Sequence, residues 1–90
     1  MYLHLGEETV IPTSNIIGIF DLEITSQSKI TRAFLANEEK NKRVTNVSEE
    51  LPRSFIVCSE NKKSSTYISQ ISSQTLKRRF KAAFIEGNIG

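Results

Sequence analysis

Apolar and polar residues alternate at the start of the chain. Met1–Leu5 reads as a strand, Gly6-Glu7-Glu8 as a turn, and Thr9-Val10-Ile11 as a second short strand. Pro12, with no N–H to give to a ladder, closes that strand. Thr13-Ser14-Asn15 supplies side-chain oxygens for a turn or a single helical twist. The stretch Ile16–Ile24 is dominated by β-branched and aromatic residues and alternates apolar with acidic residues from Phe20 onward, which predicts a strand with one buried face. Gly18 inside it marks a bulge or a close backbone contact. Thr25-Ser26-Gln27-Ser28 is capping chemistry. It predicts a helix from about Ser28 to Asn37 or beyond, with Ile30, Ala33, Phe34 and Asn37 on one stripe. Leu35 lies off that stripe and points to a second contact surface, between subunits for example.

From Glu38 to Pro52 the chain is polar and charged, anchored by Val44 and Val47, and reads as a flexible segment. Ser54–Cys58 is a short apolar run that fits a buried strand. Glu60–Ser64 is a turn and Ser65–Ile71 the antiparallel partner, a hairpin with a charged tip at Lys62 and Lys63. Ser72 is the N-cap of a last helix, and Ile71 and Leu76 have the spacing of a hydrophobic staple. Together these elements predict an α+β domain. Its mainly antiparallel sheet is built from the two N-terminal strand regions and the 54–71 hairpin, with two helices. The predicted domain is 1–84, followed by a short tail, 85–90.

The 90 residues suffice for one domain that buries about 60–65% of its unfolded surface. With 38% hydrophobic residues and no Trp, the core is lean, and such a domain often completes its burial in a subunit interface. Cys58 is the one cysteine, so a disulfide scaffold is excluded and a reducing compartment is implied. No run of residues approaches a membrane span, and the N-terminus lacks the pattern of a signal peptide, so the expected location is cytoplasmic.

A net charge of +2 conceals segregation. Residues 1–28 carry −4, residues 29–43 carry +3, residues 44–63 balance, and residues 64–90 carry +3. This distribution suits a polyanion site, or an acidic face that docks on a neighbour's basic face. Catalytic constellations are nearly absent. His4 stands alone in an alternating strand, Cys58 reads as core, and there is no phosphate loop, zinc spacing or nucleophile motif. Asp21 and Glu23, two apart on one strand face, have no third ligand for a metal and fit a polar outer face or a subunit salt bridge. No enzyme, cofactor or small-molecule substrate is expected.

The densest charge is in the last helix, where "LKRRFKAAF" spans Leu76–Phe84. At helical spacing Leu76, Phe80, Ala83 and Phe84 cover roughly 100° of the wheel, the width of a core-facing stripe. Lys77, Arg78 and Lys81 take the far side, with Arg79 at the edge of the stripe, and cations in a C-terminal half would suit the helix dipole. The helix is a core element first. Phosphate contact and a weak membrane-surface association are the other readings of its basic face.

Three strings carry a resemblance. "MYLHLGEETVIPTSNIIGIFD" at Met1–Asp21, "RSFIVCS" at Arg53–Ser59 and "YISQISSQTLKRR" at Tyr67–Arg79 resemble the small bacterial extracellular-matrix regulatory proteins of the RemA and RemB family. The opening "MYLHLG", "IIGIFD" and "SSQTLKRR" are similar to the RemB branch. The match covers about residues 1–80. The resemblance implies a compact α+β protomer that closes into a ring, and in the RemA branch a ring that binds DNA through basic residues and activates biofilm-matrix operons. A ring multiplies weak phosphate contacts into avidity. Asn15 stands where the RemA branch carries an Arg, and Glu50 and Leu51 stand where it carries an Arg pair, leaving Arg53 as the cation nearby. The expected function is non-enzymatic regulation of transcription by a homo-oligomer that binds double-stranded DNA. Arg53, Lys77, Arg78 and Lys81 are the expected phosphate contacts and Asn15 a hydrogen-bond donor. The alternative is an oligomeric interaction module that acts through a partner, such as a basic paralogue, without touching DNA.

Overall fold

The structure, a computed structural model, describes the backbone of residues 1–25 and 28–89 and the side chains of 1–23 and 28–83. Six strands and three helices follow in the order β1 (Tyr2–Gly6), β2 (Thr9–Pro12), β3 (Ile16–Asp21), α1 (Leu22–Thr25), α2 (Lys29–Lys40), β4 (Val44–Asn46), β5 (Ser54–Glu60), β6 (Lys63–Ser69) and α3 (Ser73–Ile89). A single 3-10 turn at Thr13–Asn15 links β2 to β3. The class is α+β, as the periodicity predicts.

The sheet differs from the expectation of one mainly antiparallel layer. β1 and β2 form a two-stranded ribbon of their own, and the main sheet has the order β3-β5-β6-β4, with β4 parallel to β6. The segment expected to be flexible therefore contributes an edge strand. Val47 behind it is buried, and its N–H donates to Ile68 O at 2.9 Å.

Glu38 anchors this region. Its side chain is 1% exposed, and its carboxylate accepts Thr66 Oγ1–H at 3.0 Å and Ser64 Oγ–H at 3.1 Å, with Arg43 Nη1 3.6 Å away. Burying a carboxylate is costly unless hydrogen bonds and a cation satisfy it, and here both are present. The anchor also sets the rotation of α2. Thr31, Phe34, Leu35 and Glu38 turn inward, whereas Ile30 is 83% exposed and Ala33 and Asn37 face solvent. The predicted stripe is thus displaced by about one residue, and Leu35 belongs to the inward face rather than to a second surface.

The strand predicted over Ile16–Ile24 stops at Asp21. There Asp21 Oδ1 accepts the Glu23 N–H at 2.8 Å and Leu22 N–H donates to Arg53 O at 3.0 Å, which starts the turn of α1. Asp21 and Glu23 therefore do not share a strand face. Gly18 behaves as predicted: the β3–β5 register slips between Ile16 and Gly18, and a Cβ at Gly18 would lie 2.5 Å from Phe20 Cζ. Both predicted caps form. Ser28 Oγ accepts from Thr31 N–H at 3.5 Å and Ser72 Oγ from Thr75 N–H at 3.2 Å, while Ser26 and Gln27 lie outside the described residues. The β5–β6 turn is tighter than predicted, with only Asn61 and Lys62 at its tip, both in left-handed backbone (φ 52° and 66°).

The main sheet has two unlike faces. Ile56 and Cys58 of β5 and Ile19 of β3 meet Leu3, Leu5 and Ile11 of the ribbon, together with Leu76 of α3 and Val47, in the core. Ile16, Tyr67, Ile71 and Phe80 pack around its rim. Ile71 and Leu76 flank the Ser72 cap on this same core, consistent with the staple spacing. Phe55 and Val57 point to the opposite side, where α2 lies.

Candidate nucleic-acid interface

The helix α3 is held by Leu76, fully buried, and by half-buried Phe80 against β1, β3 and the 3-10 turn. Phe84 of the predicted stripe has its side chain outside the described residues. On the other side Lys77, Arg78 and Lys81 are exposed. Their i,i+3 and i,i+4 spacing makes them neighbours on one surface. Arg79 is also exposed but turns to the ribbon, with Nη1 3.5 Å from His4 O. Because α3 runs on to Ile89, the cations occupy its N-terminal half rather than its C-terminal half. The helix dipole therefore does not favour them, and solvent and their own spacing account for their placement.

Arg53 is exposed just ahead of β5, and its backbone is pinned on both sides. Its N–H donates to Ser69 O at 2.9 Å and its carbonyl accepts from Leu22 N–H. Ser54 Oγ–H, next in the chain, donates to Ile71 O at 2.7 Å, which ties Arg53 to the end of the sheet where α3 begins. Asn15 lies at the other end of β3. With Asp21 paired to Ser54 and Ile16 to Cys58, about 17 Å of strand separates the two positions. Asn15 is half-buried and lines a small cavity of about 150 Å3 with Pro12, Cys58, Glu60, Ser65 and Tyr67. The geometry brings Lys77, Arg78 and Lys81 together, sets Arg53 near the start of the same helix, and keeps Asn15 apart beside a carboxylate.

Two features of the surface were not legible as such in the sequence. Glu7 and Glu8 of the ribbon turn and Glu49 and Glu50 of the segment after β4 line one open acidic bowl of about 900 Å3, which also includes Thr9, Asn46 and Ser48. Charge segregation signalled the acids but not their meeting. On the α2 side, Ile17, Phe20, Ile30, Phe34, Phe55 and Val57 line an apolar groove of about 310 Å3, with Phe20 stacked on Phe55 at 5.0 Å between centroids. In the sequence Ile30 and Phe34 read as a helix stripe, Phe55 and Val57 as part of a buried strand, and Ile17 and Phe20 as part of a strand with one buried face.

The remaining candidates are structural. His4 Nε2–H donates to Glu7 O at 2.7 Å and shapes the ribbon turn. Cys58 is buried, and loss of solvent raises its thiol pKa from 9.0 to about 11, which keeps it protonated and inert. Among the described residues no group of three or more His, Cys, Asp or Glu side chains is placed to hold a metal, and no helix is long and apolar enough to cross a membrane.

Comparison with known proteins decides the family. Residues 2–80 match the model of the RemA-like family, described as extracellular matrix regulatory protein A-like. The chain belongs to the RemA-like family. It is also 39% identical over 84 residues to extracellular matrix regulatory protein B of Bacillus subtilis (strain 168), spanning 93% of this chain and 95% of that protein. The family match ends within the basic stretch of α3, so Lys77 and Arg78 fall inside it and Lys81 just beyond.

Proposed function

We propose that this RemA-like chain is a non-enzymatic regulator of extracellular-matrix, or biofilm, genes in the cytoplasm, which assembles into a ring and binds duplex DNA through a basic patch repeated on each protomer. The observation that carries this reading is the patch on α3. Lys77, Arg78 and Lys81 lie side by side on the outward surface of a helix whose other side is fixed by Leu76, so their charge is presented without cost to the core. Arg53 is counted with the patch because its backbone is tied to the end of the sheet where the helix begins. One patch is weak, and repetition around a ring converts it to avidity. Flexible lysines and arginines with no base-reading pattern grip phosphates and give little sequence preference of their own.

Mobility-shift titration tests this. Four phosphate contacts per engaged protomer, from Arg53, Lys77, Arg78 and Lys81, predict a log–log salt slope of about −3.6 for each, so affinity falls steeply with added salt. No shift at about micromolar protein in low salt would refute direct binding. Charge reversal at Lys77 and Arg78 is expected to abolish retention while leaving the oligomer intact.

The acidic bowl favours a second reading, in which the oligomer regulates through a basic partner or paralogue. Four glutamates on one concave surface repel DNA and attract a cationic protein. Under this reading, reversal at Lys77 and Arg78 leaves DNA retention as low as in the unaltered protein, and reversal at Glu49 and Glu50 releases the partner.

A further inference from the structure

The large exposed apolar residues among the described ones are seven, and five of them fall into two patches: Tyr2 and Val10 on the ribbon, and Ile17, Phe20 and Ile30 at the groove, with Met1 and Leu51 apart. The two patches face opposite ways. In the ribbon Leu3, Leu5 and Ile11 point into the core, so Tyr2, His4 and Val10, on the alternate face, point away from the main sheet. The groove lies across the main sheet, on the α2 side, lined by the β5 residues that alternate with the core-facing ones.

We infer that the outer face of the β1–β2 ribbon of one protomer docks into the Ile17–Phe20–Ile30–Phe34 groove of the next copy, with Tyr2 as the projecting anchor. This deepens the ring reading and rests on it, since it names the surfaces that would form the ring. Shape and charge both select a second copy as occupant. Tyr2 is 67% exposed on a narrow ribbon, and the groove is concave and apolar. Aromatic side chains seated in apolar pockets are the usual anchors of an interface. Lys29 and Arg32 of α2 stand exposed beside the groove, whereas Glu7 and Glu8 stand exposed at the ribbon turn. Opposite charges therefore stand beside the groove and at the turn end of the ribbon, and like charges would meet if groove docked on groove at Lys29 and Arg32. Because the patches are different, the contact is heterologous, the type that runs head to tail and closes into a ring when the rotation between copies permits.

Mixing tests the pairing. Ile17→Lys blocks the groove and Tyr2→Lys blocks the ribbon; both sites are exposed, so the fold is expected to survive, checked by circular dichroism and melting. Light scattering should find each variant monomeric alone. The equimolar mixture should give a dimer and nothing larger, because one intact ribbon and one intact groove remain. Leu51→Lys should keep the size of the unaltered protein. Ile30→Lys and Val10→Lys repeat the pair should either first variant melt early. An unaltered protein that is itself monomeric would defeat the ring reading and this inference together. Variants that keep the unaltered size, or a mixture that stays monomeric, would overturn the pairing of surfaces and leave the ring standing.

Discussion

The two faces of the main sheet are built by alternate residues of the same strands, and they have met opposite fates. Ile56 and Cys58 on one face are sealed under the ribbon and α3, at 0% and 4% exposure. On the other face Phe55 and Val57 are also buried, but the residues around them, Ile17, Phe20 and Ile30, stand in solvent because α2 covers only part of the sheet. A lean chain has closed one face completely and left the other unfinished. The closed face carries the stability of the protomer, and the open one is available for contact.

Substitutions sharpen that contrast. Leu76→Ala on the closed face should cost about 2–5 kcal/mol, a large part of the stability of a small domain, measured by urea unfolding. Glu38→Ala attacks the tie between α2 and the sheet. It strands the buried Thr66 hydroxyl and should cost about 1–3 kcal/mol, whereas Glu38→Gln, which keeps an acceptor, should cost less. If both Glu38 variants match the parent, α2 is held by something other than this carboxylate.

Cys58 gives a pH test of the closed face. Its thiol pKa is higher folded than unfolded, so the folded state holds the proton more tightly. Stability is full below about pH 9 and is lost as pH rises toward about 11. Alkylation at about pH 8 should be negligible until the chain is unfolded. Cys58→Ala should remove this part of the alkaline dependence. At the small end, Ile30→Ala on the open face should change the stability of the monomer by no more than about 0.5 kcal/mol. A loss of several times that at oligomer-forming concentration would locate Ile30 in an interface.

The same contrast explains what could be read in advance. The sealed face was legible because its residues obey simple rules: an apolar run in β5, a hydroxyl cap at Ser72, and the staple spacing of Ile71 and Leu76. The α2 side was not, since a buried carboxylate inverts the rule that places polar residues outside. Counting Glu38 as solvent-facing puts Ile30 inside. The parallel strand β4 was missed for a related reason: its three residues carry little apolar signal, and their partners on β6 lie over 20 positions away. The end of β3 was misread because apolar–acid alternation persists past Asp21, although an aspartate there is also a helix cap. For the interface, cations on α3 were visible as a cluster with its face assigned. The distance between Arg53 and Asn15 depends on β3–β5 pairing, which spacing alone does not reveal.

The two-residue turn at Asn61–Lys62 also has a kinetic consequence. It joins strands that are adjacent in sequence, so β5 and β6 can zip in about 1–10 μs, whereas the bond from Thr66 to Glu38 must first close a long loop. This order predicts a hairpin whose Phe55 and Val57 stay bare until α2 arrives, a window in which chains would be prone to stick together. Lys62→Gly, which relieves the left-handed backbone at the tip, should speed refolding in stopped-flow mixing. Glu38→Ala should mainly speed unfolding, and the reverse pattern would place α2 in the folding nucleus instead.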